Sequence, residues 1–306
     1  GKTPDGKTPD GKTPDGKTPD GKTPDGKTPD GKTPDTPKPA AKPNRGWPQP
    51  TDLHPIVRNM PASAEKSPAA VGRYIASQSK DEFVRARAIH DYVADRIAYD
   101  AVALAAGRYP PYQAKIVLER RKGVCAGYAK LYVAIAKAAG LEAAYLTGHA
   151  RDKSGGISGI GHAWNAVKVE GRWYLLDATW DSGTVKGPVF TKTFRTSYYM
   201  TPPEIFGMDH FPDDPRWQLR SSPLSRGDFI RQPFMRVDFH AVGLKLISPR
   251  RPQVSTGGQL TIRLQAPVGT YLLLRPEREG GGRRLDQCKE KPAGTFDCRF
   301  PEDGKY

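Results

Sequence analysis

Three residues are of the right types to do covalent chemistry together. Cys125 opens the apolar stretch GVCAGYAKLYVAIAKAAG at 123–140, His162 lies in GHAWNAV at 161–167, and Asp177 lies in YLLDATW at 174–180. A cysteine at a helix start faces free N–H groups and the positive end of the helix dipole, which lower a thiol pKa. A histidine supplies a base and an aspartate orients it, and nucleophile, base and orienter are the parts of covalent acyl transfer. Each residue alone has a bland reading. An isolated cysteine is most often a small buried hydrophobe, a strand histidine is most often simply satisfied, and a buried acid needs a partner whatever its role. The three in combination favour the chemical reading.

The elements that must position them can be read from periodicity. Residues 125–139 form a helix that is apolar nearly all round, with Lys130 and Lys137 as its charged stripe and Gly140 as its C-cap, so it belongs at the centre of a domain. HAWNAVKV and RWYLLDATW are joined by Glu170-Gly171, a two-residue hairpin signal. If Val169 faces Arg172, then Trp164 faces Asp177 and His162 faces Thr179. His162 and Asp177 then share a face as diagonal neighbours, roughly 7 Å apart between backbones and within side-chain reach.

Around these lie helices at 67–79 and 81–98, the second with Asp81 as N-cap and Phe83, Ala86, Ile89, Val93 and Ile97 on one buried face. QAKIVLERRKG reads as a short helix ending at Gly123, and AAYLTGHA at 143–150 as a strand. Residues 182–232 are polar, proline-rich and aromatic, with little periodicity. From about Asp238 short alternating strands appear around Leu244–Leu246, Leu260–Leu264 and TYLLL at 270, separated by STGG and REGGG. They predict a small β-sandwich of the immunoglobulin type that stops before its last strand.

The chain has 306 residues and a net charge of +15. Residues 1–35 are seven copies of GKTPD, followed by TPKPAAKPNRGWPQP. Proline in every repeat and no apolar side chain predict a disordered spacer, able to reach roughly 100 Å at about 3 Å per residue. Each repeat holds one Lys and one Asp, so the excess charge falls on residues 36 onward. There it is scattered, with no basic stripe interleaved with aromatics, and no nucleic-acid partner is expected. No stretch of about 18 apolar residues predicts a transmembrane helix. No HExxH, CxxC or phosphate-loop pattern occurs, so no metal and no cofactor are implied. His54, His90 and His240 show no ligand spacing, and His149 reads as structural. Cys288 and Cys298 flank a turn and either bridge across a hairpin or stay reduced; a bridge would suggest an exported protein, periplasmic or extracellular. The chain begins inside a repeat and stops at DGKY, so both ends read as truncated.

GVCAGYAKLYVAIAKAAGL, GHAWNAV and WYLLDATWD resemble the three core motifs of the transglutaminase-like superfamily, papain-like folds with a Cys-His-Asp triad. YYMTPPEIFGMDHFPDDPRWQL resembles a segment of the branch related to kyphoscoliosis peptidase, in which immunoglobulin-like domains follow the catalytic one. The resemblance covers about residues 60–306. It implies Cys125 as nucleophile, His162 as general acid and base, Asp177 as the orienter of His162, and a protein or peptide substrate. Calcium-dependent transglutaminases place a tryptophan upstream as an oxyanion donor. No tryptophan lies between Trp47 and Trp164 here; Tyr99 is a candidate substitute whose bland role is core packing, and the departure points to hydrolysis over cross-linking. Trp164 and Trp180 flank the three residues, while His210 and Trp217 are expected to lock the long loop onto the domain.

The expected architecture is thus α+β: a disordered repeat and linker at 1–58, a papain-like transglutaminase core at 59–232 with its Cys helix on an antiparallel sheet, and an incomplete β-sandwich at 233–306. The expected activity is thiol-dependent hydrolysis or acyl transfer at protein amides. The competing expectation is a non-catalytic protein-binding adaptor with the same fold. A further one is a module held at a cell surface or cell wall by the repeats.

Overall fold

The computed structural model describes residues 46–152, 155–157, 159, 161–279, 288–291, 294–300 and 302–306, all within one unit spanning 36–306. The spacer expected at the GKTPD repeats lies outside the described residues.

The cysteine helix is the centre of the fold. Helices α1 (Pro68–Gln78), α2 (Glu82–Arg96) and α3 (Ala114–Arg120) pack on one side of α4 (Cys125–Ala138), and an antiparallel sheet packs on the other. Its apolar surface runs nearly all round because neighbours surround it: Leu131, Tyr132, Ile135 and Ala136 are fully buried. Burying one such large side chain stabilises by about 1.5–3 kcal/mol. The chain leaves α4 at Gly140, whose φ of +75° suits a residue without a Cβ. Helix α2 begins where expected, with Asp81 Oδ1 accepting from the N–H groups of Phe83 at 2.8 Å and Val84 at 3.3 Å. It ends at Arg96, short of 98, and α3 ends at Arg120, short of Gly123. In both places the chain is diverted into a two-residue parallel bridge that pairs Ala98 with Lys122 and Tyr99 with Gly123.

The sheet has five strands: β1 (Glu142–Ala150), β2 (His162–Val169), β3 (Arg172–Leu176), β4 (Tyr199–Thr201) and β5 (His210–Pro212), in the order β4-β3-β2-β1-β5. The β2–β3 hairpin has the predicted register, Val169 opposite Arg172. Glu170 and Gly171 both have positive φ, 47° and 74°, the signature of a two-residue turn matched to the twist of its strands. Pairing stops at Asn165 opposite Leu176, so Asp177 lies one residue past the strand end rather than in it. Strands β4 and β5 are three residues each, too short to show periodicity, which is why 182–232 reads as featureless. Asn165 ties sheet to helix: its buried Nδ2 donates to the Ala129 carbonyl of α4 and the Ala144 carbonyl of β1, both at 3.0 Å.

Residues 46–58 are not a linker. Trp47 Nε1 donates to the Ser197 carbonyl at 3.1 Å, the Arg87 guanidinium donates to the Pro50 and Asp52 carbonyls, and Val57, in a helical turn at Pro55–Arg58, is fully buried. Composition misled here because proline-rich chain can dock through its carbonyls and a few apolar anchors.

Toward the C-terminus, β6 (Lys245–Ser248), β7 (Gln259–Gln265), β8 (Cys288–Glu290) and β9 (Thr295–Arg299) form one antiparallel sheet in the order β6-β7-β9-β8. Leu260, Ile262 and Leu264 alternate with exposed residues as expected. The strand expected at 270–274 is absent, and the second sheet that a sandwich needs is not found among the described residues. Cys288 and Cys298 face each other across β8 and β9 and are disulfide-bonded.

The contact between α1 and α4 yields a test. A Cβ on Gly72 would lie 2.5 Å from the Ile135 carbonyl oxygen and 2.6 Å from the Ala138 methyl. Alanine gains up to about 1 kcal/mol of helix propensity over glycine, but overpacking costs about 1–3 kcal/mol, and backbone cannot step aside cheaply. We expect Gly72→Ala to destabilise by about 1–2 kcal/mol, read as a lowered urea midpoint with an unchanged m-value.

Candidate functional site

The three residues singled out by type and spacing meet at one point. Cys125 is the first residue of α4, whose N-cap residue Val124 makes no side-chain capping hydrogen bond. His162 is the first residue of β2. Its Nε2 donates to Asp177 Oδ2 at 2.7 Å, which leaves Nδ1 for the Cys125 thiol. The sharp turn after Leu176 brings two backbone N–H groups, of Thr179 at 2.8 Å and Trp180 at 3.3 Å, onto Asp177 Oδ1.

Electrostatics follow from these contacts. Burial alone would raise the Cys125 pKa, but the hydrogen bond and charge of His162, with the Ala163 N–H, bring it below the ordinary thiol value. Burial alone would lower His162, yet the charge and hydrogen bond of Asp177, then those of Cys125, raise it from 6.5 to about 10. Burial would raise Asp177; the charges and hydrogen bonds of His162 and His210 hold it well below the carboxylate range. The arrangement favours a thiolate–imidazolium pair over a neutral thiol and imidazole.

The surroundings are aromatic. Trp164 and Trp180 lie nearly parallel to the His162 ring at centroid distances of 5.9 and 5.3 Å. The parallel bridge at Tyr99–Gly123 sets Tyr99 against the start of α4, where its hydroxyl meets the Cys125 backbone N–H. A cleft of about 600 Å³ opens beside His162, walled by Tyr99, Leu104, Phe190, Trp180 and Tyr198.

Spacing did not reveal two further residues. Asn165, described above, sits within the GHAWNAV motif, but its role as a bolt between helix and sheet depends on burial. His210 was expected to lock a loop. It is instead buried against the site, with Nε2 at 3.2 Å from Asp177 Oδ2. Trp217 does lock the loop, its ring edge-on to Trp173 at 4.9 Å. His149 lies on β1 opposite Phe211. His162, Asp177 and His210 offer three ligand atoms within 4.8 Å of one another. Their separations in this structure are those of hydrogen bonds, both imidazoles donating to one carboxylate oxygen.

A family model described as the transglutaminase-like superfamily matches residues 69–178. Kyphoscoliosis peptidase of Mus musculus is 31% identical over 214 residues, and that of Homo sapiens 30% over 214 residues, in each case 67% of this chain and 32% of the relative. This chain carries a transglutaminase-like domain of the kyphoscoliosis-peptidase-like branch. It spans about a third of the length of those curated relatives. A solved structure described as a TGase superposes with a TM-score of 0.31 at 21% identity, covering 48% of this chain and 39% of that one.

The ion pair of this transglutaminase-like domain has a defined pH window. Asp177, depressed in the folded state, contributes stability above its ordinary 3.8 that is lost as the pH falls through its folded value. His162, elevated, contributes stability below 6.5 that is lost as the pH rises to about 10. Breaking a buried pair from one side costs about 3–5 kcal/mol. We expect Asp177→Asn to cost most at about pH 5–6 and progressively less toward about pH 10, measured by urea unfolding of both proteins across that range. A cost that does not change with pH would show the two groups to be uncoupled.

Proposed function

We propose that this chain is a cysteine hydrolase or acyltransferase acting on protein or peptide amides through a thioester. The observation that carries the reading is the placement of Cys125 at an uncapped helix N-terminus with His162 between it and a fully hydrogen-bonded Asp177. His162 Nδ1 takes the thiol proton, and Sγ attacks the amide carbonyl carbon. The carbonyl electron pair moves onto oxygen, then returns as the C–N bond breaks, and His162 hands its proton to the leaving amine. Water, deprotonated by His162, attacks the thioester in hydrolysis; an amine takes its place in transfer. Either way the thiolate leaves and the site is restored.

The developing oxyanion needs preorganised donors. The Cys125 backbone N–H is the first, and the Tyr99 hydroxyl, held beside it, is the second. The cleft next to His162 gives a peptide room to lie beside the general base.

Cys125 is the free cysteine of the chain, the other two being bridged, so thiol labelling reports on it alone. We expect iodoacetamide to alkylate Cys125 rapidly well below the ordinary thiol pKa of about 8.5. The rate should fall at least about tenfold in His162→Ala. A rate that rises only near the ordinary pKa, in both proteins, would sink the proposal and leave the protein-binding adaptor.

Tyr99→Phe separates the oxyanion role from thiol activation. Alkylation passes through no oxyanion and should be unchanged. Acylation by an activated peptide ester should slow by about 10²-fold. Equal loss in both assays would assign Tyr99 to packing.

A further inference from the structure

His210 is the residue whose placement the reaction just described does not require. It begins strand β5, at the edge of the sheet beyond β1, and is 2% exposed. Both of its ring nitrogens face carboxylate oxygens: Nε2 lies 3.2 Å from Asp177 Oδ2, and Nδ1 lies 2.6 Å from Asp209 Oδ1. The second oxygen of Asp209 accepts from the Tyr198 hydroxyl at 2.5 Å. An ionised carboxylate can only accept a hydrogen bond. Each nitrogen that faces one must carry hydrogen, and a ring with hydrogen on both nitrogens is an imidazolium.

The packing around the ring admits no alternative partner. Phe206 is stacked on it at 4.1 Å, Trp180 lies at 4.4 Å, and Trp164 is edge-on at 5.0 Å. The titratable groups facing it are His162 and Tyr198, each at 5.5 Å between ring centres, with Asp177 and Asp209, the latter also accepting from the Tyr198 hydroxyl. The Arg151 cation acts on Asp209, and Asp181 acts on Asp177. From the cysteine inward, acidic and basic side chains therefore alternate: Cys125, His162, Asp177, His210, Asp209.

We propose that His210 is a positioning residue of this site: an imidazolium clamped between Asp177 and Asp209 that keeps the Asp177 carboxylate ionised and aimed at His162. The role rests on the reading of Cys125, His162 and Asp177 given above, and extends that group by a second histidine and a second aspartate. Strand β5 is held close enough to deliver His210 because its neighbour on β1 is Gly148. A Cβ there would overlap the Phe211 carbonyl oxygen and would sit 2.7 Å from the Trp164 ring. The DHFP motif thus supplies the clamp, and Gly148 supplies the space for it.

The test is long-range ¹H–¹⁵N NMR of the imidazole side chains in the whole chain, followed across pH, with His210 assigned by its loss in His210→Gln. We expect both His210 nitrogens to be protonated at neutral pH; one protonated nitrogen would overturn the proposal. In His210→Phe, Asp177 loses its second imidazole donor and turns from His162, whose titration midpoint should move down toward 6.5. In His210→Gln, whose amide still donates to Asp177, most of that shift should be recovered. A His162 midpoint that stays or rises in His210→Phe would show that His210 only fills space or competes for the carboxylate. Should the phenylalanine variant not fold, the wild-type protonation state and the glutamine variant still decide the matter. Weak alkylation of wild-type Cys125 would sink the proposed activity without touching these NMR readouts, so the two failures are distinguishable.

Discussion

A buried carboxylate tolerates no missing partner, and the architecture around the site is arranged to satisfy Asp177. Removing an ion from water costs several kcal/mol even after relaxation, and Asp177 is 1% exposed. Its Oδ1 is filled by the turn that follows it, through the Thr179 and Trp180 N–H groups; its Oδ2 is filled by His162 from β2 and His210 from β5. Strand β3 has to stop at Leu176 for that turn to form, and the Asp177 N–H, leaving the ladder, bonds to the Tyr198 carbonyl at 2.9 Å instead. Local turn, central strand and distant edge strand all converge on one side chain.

The far end of the same turn is anchored by a second buried cluster. Asp181 accepts from the Tyr198 N–H and from His90 Nε2 at 3.0 Å, and His90 Nδ1 reaches Asp91 at 2.9 Å. Asp91 also accepts from Arg87 Nε at 2.7 Å and from the His54 N–H at 2.9 Å. Arg87 in turn holds the carbonyls of Pro50 and Asp52. This chain of contacts joins residues 46–54, α2 and the Asp177 turn into one unit. It accounts for three charged or ionisable residues, Arg87, His90 and Asp91, buried on a helix whose apolar face predicts them outside.

Local signals in the sequence were sufficient for the features nearest the cysteine helix and the hairpin. Cys125 at its helix start, the apolar wrap of α4, the Asp81 cap and the register of the β2–β3 hairpin follow from side-chain periodicity and turn chemistry, which act over a few residues. What was not legible depends on contacts between distant segments. His210 and Asp177 are 33 residues apart, and β5 joins the sheet beside β1, not beside the strand before it. The bridge of Ala98–Tyr99 with Lys122–Gly123 trimmed two helices that propensity would have continued. Residues 46–58 look like linker by composition and dock by carbonyl groups that every residue possesses. The TYLLL segment at 270 has strand propensity, yet a strand needs an edge to pair with, and among the described residues it takes none.

Alternating charge explains why such a site can be buried at all. A lone thiolate–imidazolium pair beside Trp164 and Trp180 would be opposed by desolvation of both ions. Each further partner in the line stabilises the one before it, and the low dielectric that penalises a free ion strengthens every contact between paired ones. The same reasoning makes the arrangement sensitive to its outermost member. Asp209 lies well behind the thiol, but it balances the charge on His210, which balances Asp177, which holds His162. The cysteine at the start of α4 is thus linked to a carboxylate at the sheet edge, and the residues between them are ordered by that link as much as by the packing of the core.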